Sequence, residues 1–218
     1  MKNFNLTCTP IRHNVEALGL SMPYDYDTVI AELKKEDWGQ HKNHSNSKRH
    51  ILLDPDSNIL KEVKQFLTSD LIKEQIIDSF YTNFPNIEYT WNGWSKKQMI
   101  ERTVWDAFFI MDEPGYSMSK HVDTRTNVAT GIVYLNKDAD QRRTTIFYTD
   151  QAGSNQLKID NGFGQGVISV NDSDTWHEVQ NGTDEPRYVI VLVLLLLIDF
   201  YDAEKHQALF WPPPRLTL

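Results

Sequence analysis

The chain is poor in several features on which whole classes of proteins depend. Its 218 residues contain one cysteine, Cys8, so an intrachain disulfide and a cysteine-based zinc site are both excluded. Basic residues are in deficit, with 22 Lys and Arg against 30 Asp and Glu, and they form no stripe that could neutralise a row of phosphates. Nucleic acid is therefore a poor candidate partner for this acidic chain.

The sequence also lacks a recognisable membrane or export segment. The first residues have no apolar core of the kind found in a secretory signal. The longest apolar run, 189–198, is shorter than the roughly 20 residues that a membrane-spanning helix needs. Its β-branched residues favour a strand that is buried on both faces. Together with the single cysteine, these absences predict a cytoplasmic protein without a membrane partner, and the oligomeric state stays open.

What the sequence does contain is a helical first part and a β-rich second part. Apolar residues recur at helical spacing over 58–83, which predicts two consecutive helices, and shorter helices are expected within 23–38 and 95–104. From residue 105 onward, short β-rich segments are separated by clusters of Gly, Asn and Asp. Because no helical pattern intervenes between them, we expect a mainly antiparallel sheet in an α+β fold, a sandwich or barrel supported by helices.

This pattern predicts one domain over 1–218. The region 1–104 would be a mainly helical support, 105–200 the β-rich core and 201–218 a C-terminal tail.

Candidate metal ligands lie in the β-rich part. His121 and Asp123 are two residues apart, so on a strand their side chains point to the same face. A third ligand must come from another strand, and His177 is preferred because His206 lies in a polar stretch. Two histidines and one carboxylate form a facial triad that is typical of non-haem Fe(II) oxygenases, although catalytic zinc is also compatible with three such ligands.

A second set of residues is suited to holding a carboxylate. Arg187 opens the long apolar strand, where its guanidinium group must reach either solvent or an anion. Tyr134 shares one strand face with Thr130, and its phenol group needs a hydrogen-bond partner if it is buried. The alternatives are a solvent-facing arginine and a core tyrosine bonded to the backbone.

Four motifs resemble those of one enzyme family, in the right order. They are HVD, VATGIVYLNKDAD, WHEVQN and RYVIVLV. Together they are similar to the 2-oxoglutarate- and Fe(II)-dependent dioxygenases, and most of all to the prolyl 4-hydroxylase-like group. The resemblance spans about 105–200 and implies a double-stranded β-helix, a jelly-roll or cupin-like barrel, with N-terminal supporting helices.

The resemblance also implies roles for individual residues. His121, Asp123 and His177 would bind Fe(II), while Arg187 and Tyr134, with Thr130 as a weaker candidate, would bind 2-oxoglutarate. The implied reaction consumes O2, hydroxylates an unactivated C–H bond of a prolyl or other amino-acid residue, and releases succinate and CO2, with ascorbate as an accessory reductant. The substrate would be a peptide, a protein or a small molecule.

One further residue is a candidate on the substrate side. Arg125 continues the strand face of His121 and Asp123 toward the mouth of the site. Two other functions remain open: a cupin-like barrel that binds a metal or small ligand without oxygenase activity, and an oxidative nucleic-acid dealkylase, which the acidic composition disfavours.

Overall fold

The structure is a computed structural model. It describes residues 3–12, 14–38, 48–87, 91, 93–123, 127–148, 156–159, 161–171, 175–197, 201–202 and 207–208. Most of the predicted tail, 201–218, and Arg125 and His206 therefore lie outside the described residues.

Four helices occupy the first half of the described chain, in the regions where helical spacing predicts them. They are α1 (Tyr26–Leu33), α2 (Asn58–Leu67), α3 (Asp70–Asn83) and α4 (Lys96–Arg102). Side chains cap three of the N-termini: Asp25 on α1, Ser69 on α3 and Ser95 on α4 each accept a hydrogen bond from a backbone N–H of the first turn. None of the four, within the described residues, is long and apolar enough to cross a membrane.

Thirteen strands are described, and all the pairs between them are antiparallel, as predicted. In chain order they are β1 (Asn5–Arg12), β2 (Val15–Ser21), β3 (Arg49–Leu52), β4 (Thr103–Asp112), β5 (Ser117–His121), β6 (Asn127–Tyr134), β7 (Arg143–Tyr148), β8 (Gln156–Lys158), β9 (Gln165–Val170), β10 (His177–Asn181), β11 (Arg187–Leu196), β12 (Tyr201–Asp202) and β13 (Gln207–Ala208).

The strands form two main sheets and one small pair. The larger sheet has the order β1-β2-β9-β6-β11-β4-β3, the smaller one has the order β5-β10-β7-β8, and β12 pairs with β13. Side chains of both main sheets meet in one apolar cluster, so the sheets pack face to face. The helices cover the outer face of the larger sheet through a second and larger cluster.

Strand β11 explains how the two clusters are joined. Successive side chains of a strand point to opposite faces of its sheet. Tyr188, Ile190, Leu192 and Leu194 accordingly pack toward the helices, while Val189, Val191 and Val193 pack toward the smaller sheet. The prediction of a strand buried on both faces is confirmed by this arrangement, in which β11 contributes side chains to both clusters.

The region before residue 105 also contributes strands to the larger sheet. Strands β1 and β2 pair with each other and, through β2, with β9, while β3 pairs with β4 at the opposite edge. Only helices are predicted here from the sequence, because the edge strands β1 and β3 rely on a neighbour's backbone and carry a weak pattern of their own. Strand β2 was also missed, although it lies inside the sheet between β1 and β9. The region before residue 105 therefore supplies both supporting helices and three strands of the larger sheet.

Candidate metal and carboxylate site

Three residues that could bind a metal ion converge between the two sheets. His121 ends β5 and lies directly opposite His177 at the start of β10, and Asp123 follows β5 by two residues. The Oδ1 atom of Asp123 lies 3.7 Å from the Nε2 atom of each histidine. One ligand atom from each residue lies within 4.8 Å of the others, a spacing that fits a single ion.

Backbone carbonyls orient both imidazole rings. His121 Nδ1 lies 2.8 Å from the carbonyl oxygen of Ser119, and His177 Nδ1 lies 3.0 Å from that of Thr175. A ring that donates its Nδ1–H in this way keeps the lone pair on Nε2 for a metal. Both Nε2 atoms face Asp123, so the tautomers suit a metal site.

The triad combines a buried histidine with a buried carboxylate oxygen, and both features favour the binding of a cation. His177 is 5% exposed, its ring stacks on Phe147, and its pKa is lowered chiefly by burial, with the charge of Asp123 opposing that shift. Asp123 Oδ2 is buried and has no hydrogen-bond partner among the described residues. A lowered imidazole pKa favours the neutral ring, and a neutral ring beside an unsatisfied carboxylate oxygen suits a divalent metal.

The triad opens into a cavity of about 340 Å³ between the sheets. Most of its wall is apolar and comes from the larger sheet. The apolar lining residues include Ile51, Phe108, Ile110, Ile132, Val189, Val191 and Val193. Polar groups stand at defined places in this wall, which is the usual character of a site for a small organic ligand.

Arg187 lies at one end of the cavity and is 1% exposed. Its Nη1 donates to Asp112 Oδ2 at 2.6 Å and its Nη2 donates to Thr145 Oγ1 at 3.2 Å. Burial opposes the charged form, but Asp112 and Tyr134 outweigh it and the pKa of Arg187 is raised. Its Nε is buried without a partner among the described residues, so this guanidinium group can still take an acceptor.

Tyr134 packs against the guanidinium group of Arg187. Its ring centroid lies 5.2 Å from the guanidinium carbon, and its hydroxyl oxygen accepts the backbone N–H of Thr145 at 2.8 Å. Tyr134 is 1% exposed and is not among the residues that line the cavity. Tyr134 therefore contacts the arginine directly and does not face the cavity.

Thr130 lies toward the other end of the cavity. It is in register with Val193, six residues along β11 from Arg187, which corresponds to roughly 20 Å at the rise of a strand. Its hydroxyl oxygen accepts a hydrogen bond from Asn171 at 2.9 Å. Strand register thus separates Thr130 from Arg187, and the two are poorly placed to hold the same carboxylate.

Two charged residues that were not predicted from the sequence also belong to this site. Asp112 ends β4 and Arg49 begins β3, and the two are directly opposite each other in the sheet. Arg49 lines the cavity and donates two hydrogen bonds to Asp112. An aspartate that closes an apolar strand is a weak signal for Asp112, whereas Arg49 carries no signal because β3 itself is not predicted.

No protein-family model matches the sequence, and a search of curated proteins finds no match. Solved structures do resemble its fold. A prolyl-4-hydroxylase from Pseudomonas putida aligns with a TM-score of 0.55 at 12% identity, over 85% of this chain and 94% of that one.

Two further structures align with a TM-score of 0.50. One is a prolyl hydroxylase from Trichoplax adhaerens in complex with a peptide fragment of a hypoxia inducible factor, at 17% identity over 84% of this chain and 78% of that one. The other is EvdO2 from Micromonospora carbonacea complexed with 2-oxoglutarate, at 12% identity over 93% of this chain and 99% of that one. The likeness to prolyl hydroxylases that the motifs predict is thus present at the level of the fold.

Proposed function

We propose that the protein is a dioxygenase that depends on Fe(II) and 2-oxoglutarate, is of the prolyl-hydroxylase type and is built on a double-stranded β-helix. One observation carries the proposal: a His-Asp-His triad, of which His177 is buried and the other two members are half-buried, lines the same cavity as a buried arginine with an unpartnered donor. The reaction would convert 2-oxoglutarate, O2 and a C–H group into succinate, CO2 and a C–OH group. The structures of similar fold support this class of chemistry.

The triad fits the metal that this chemistry requires. His121, Asp123 and His177 would hold Fe(II) on one face and leave other positions free. The bound metal would supply the activation of O2. The protein's part is to keep both rings in the tautomer that presents Nε2 and to shield the site behind Phe147.

Arg187 fits the carboxylate of 2-oxoglutarate that is remote from its keto group, here called the distal carboxylate. Strand β10 leads from His177, in the triad, to Asn181, whose side chain bonds to the carbonyl of Asp112. The triad and the charged end of the cavity are therefore about four strand residues apart, roughly 13 Å between backbones. The side chains of the triad and of Arg187 both line the cavity, and the proposal requires the gap between them to match a five-carbon diacid.

The substrate would occupy the open part of the cavity beyond the triad. Its walls there include Phe108, Val193 and Thr130, which favours an uncharged, largely apolar group such as a prolyl ring. The Trichoplax adhaerens protein of similar fold binds a peptide, which supports a peptide or protein substrate for this chain. A small molecule remains the alternative substrate, and ascorbate the proposed accessory reductant.

A second candidate function follows from Asp112. Because this carboxylate already neutralises Arg187, the arginine could be a structural ion pair. The protein would then be a cupin-like barrel that binds a metal or a small ligand without consuming 2-oxoglutarate. The unpartnered Nε atom of Arg187 favours the dioxygenase.

Turnover of the iron-loaded protein tests the proposal. Succinate formed from 2-oxoglutarate under air should require iron and should be abolished in His121→Ala. The control is His50→Ala, which removes a histidine that pairs with Glu113 outside the triad. Succinate formation that persists in His121→Ala, with its native circular dichroism, would contradict the assignment of the triad.

Ligand-induced stabilisation separates the two candidate functions. With a redox-inert divalent metal such as Zn(II), 2-oxoglutarate should raise the melting temperature of the wild type and leave Arg187→Ala unchanged. If the metal alone stabilises the wild type and 2-oxoglutarate adds nothing, the cupin-like alternative is favoured.

A further inference from the structure

The cavity ends at a row of three charged side chains on adjacent strands. Asp112 on β4 is directly opposite Arg49 on β3 and directly opposite Arg187 on β11. Residues opposite each other in antiparallel strands project from the same face of the sheet. All three therefore point into the space between the sheets, where both arginines line the cavity.

Asp112 holds both arginines at once. It is fully buried and accepts hydrogen bonds from Arg49 Nε at 2.6 Å, from Arg49 Nη2 at 2.9 Å and from Arg187 Nη1 at 2.6 Å. The Arg49 guanidinium group also lies 4.3 Å from the ring centroid of Tyr116. The two guanidinium groups are thus fixed in place before any ligand arrives.

The charges in this row do not cancel. Arginine stays protonated in proteins, so two guanidinium groups and one carboxylate leave an excess of one positive charge. The neighbouring Glu113 pairs with His50, and Asp123 faces the two histidines of the triad. Among the described residues that line the cavity, none supplies a second carboxylate to the row, and a buried excess charge is costly.

We propose that Arg49 is a second carboxylate-binding residue of the cosubstrate site and that Asp112 positions both guanidinium groups. This inference rests on the proposed function and deepens it. One incoming carboxylate makes the row neutral and gives an acceptor to the unpartnered Nε of Arg187. The apolar wall beside the row, Ile51, Ile110 and Val189, suits the methylene chain of a diacid. The site therefore selects a 2-oxo acid with a terminal carboxylate.

Binding of two oxo acids to the Zn(II)-loaded protein tests this inference without relying on turnover. The probes are 2-oxoglutarate and 2-oxopentanoate, which has no distal carboxylate. Arg49→Gln should lower the affinity for 2-oxoglutarate by roughly ten- to a hundredfold, which is the usual effect of losing hydrogen bonds to a charged group. Its affinity for 2-oxopentanoate and for Zn(II) should not change. Arg49→Lys should recover part of the loss, since it keeps the charge but not the guanidinium fork.

The Arg49→Gln variant is expected to fold, because Asp112 keeps its hydrogen bond to Arg187 and the row becomes neutral. A matched control is Arg102→Gln, since Arg102 lies 4.4 Å from the ring centroid of Trp94 and is not among the residues that line the cavity. It should bind both oxo acids like the wild type.

Three outcomes would overturn the inference. Unchanged affinity of Arg49→Gln for 2-oxoglutarate would leave Arg49 as a structural partner of Asp112. Equal loss of both oxo acids would show an indirect effect on the site. A wild-type protein that binds Zn(II) but neither oxo acid would instead overturn the proposed function, and the inference with it.

Discussion

Asp112→Asn should be the most damaging single change to the charged row in the absence of any ligand. The substitution keeps the shape of the side chain and removes its charge, so Arg187 and Arg49 lose the only carboxylate that pairs with either of them among the described residues. Arg187 is 1% exposed and cannot turn to solvent. Removing one partner of a buried ion pair leaves an uncompensated charge, and the expected loss is about 3–5 kcal/mol of unfolding free energy.

Arg49→Gln supplies the comparison, because it removes a charge on the other side of the same carboxylate. Asp112 then keeps Arg187, and the side chain of Arg49, which is 10% exposed, is the one closer to solvent. The expected loss is about 1–2 kcal/mol, the size of hydrogen bonds lost from a paired group. Urea unfolding of both variants, followed by circular dichroism with a chelator present, measures the difference. Equal destabilisation of the two variants would refute the charge argument.

Three further predictions concern a proton, a thiol and a backbone contact. Burial lowers the pKa of His177, so the folded protein takes up fewer protons than the unfolded chain, and stability should fall as the pH drops below the unfolded histidine value. The loss is at most about 2 kcal/mol between about pH 7.5 and about pH 5, and urea titrations with a chelator should show it reduced in His177→Asn. Burial, with the charge of Glu16, raises the pKa of Cys8 to about 12, so iodoacetamide should alkylate it on the order of a thousandfold more slowly than in urea at about pH 8; alkylation at the same rate in both states would contradict this pKa. Gly166→Ala places a Cβ atom 2.1 Å from the carbonyl oxygen of Ile132. It should lower the free energy of unfolding by about 1–3 kcal/mol, which thermal unfolding measures. Gly182→Ala, with its nearest contact at 3.4 Å, is the control, and equal melting temperatures for the two variants would refute the steric argument.

Local pattern was sufficient to place much of this fold. The period of the apolar residues predicted the helices α2 and α3, because each must bury one stripe against the sheet. The apolar run of β11 predicted a strand covered on both faces, and the structure shows its alternate side chains in two clusters. Strands β1 and β3 were missed because edge strands gain their order from a neighbour's hydrogen bonds.

The candidate site divides along the same line. His121 and Asp123 are two residues apart, and the period of a strand is enough to turn both toward one ion. His177 could be named as the third ligand by eliminating His206 and by the resemblance of its WHEVQN motif, and strand pairing decides that it lies opposite His121. The distance between Thr130 and Arg187 likewise depends on how β6 and β11 are paired, and this register cannot be read from the local sequence.

By itself, the sequence determined the chemistry that is available to this protein. It supplies two histidines and an aspartate for a metal, an arginine for a carboxylate, and enough apolar strand to bury them. Only the tertiary structure decided which charges meet, because Arg49, Asp112 and Arg187 are far apart in the chain and are adjacent only across three paired strands. Burial there turns a surplus of one positive charge into a binding preference, since a charge held away from bulk solvent is costly unless it is paired.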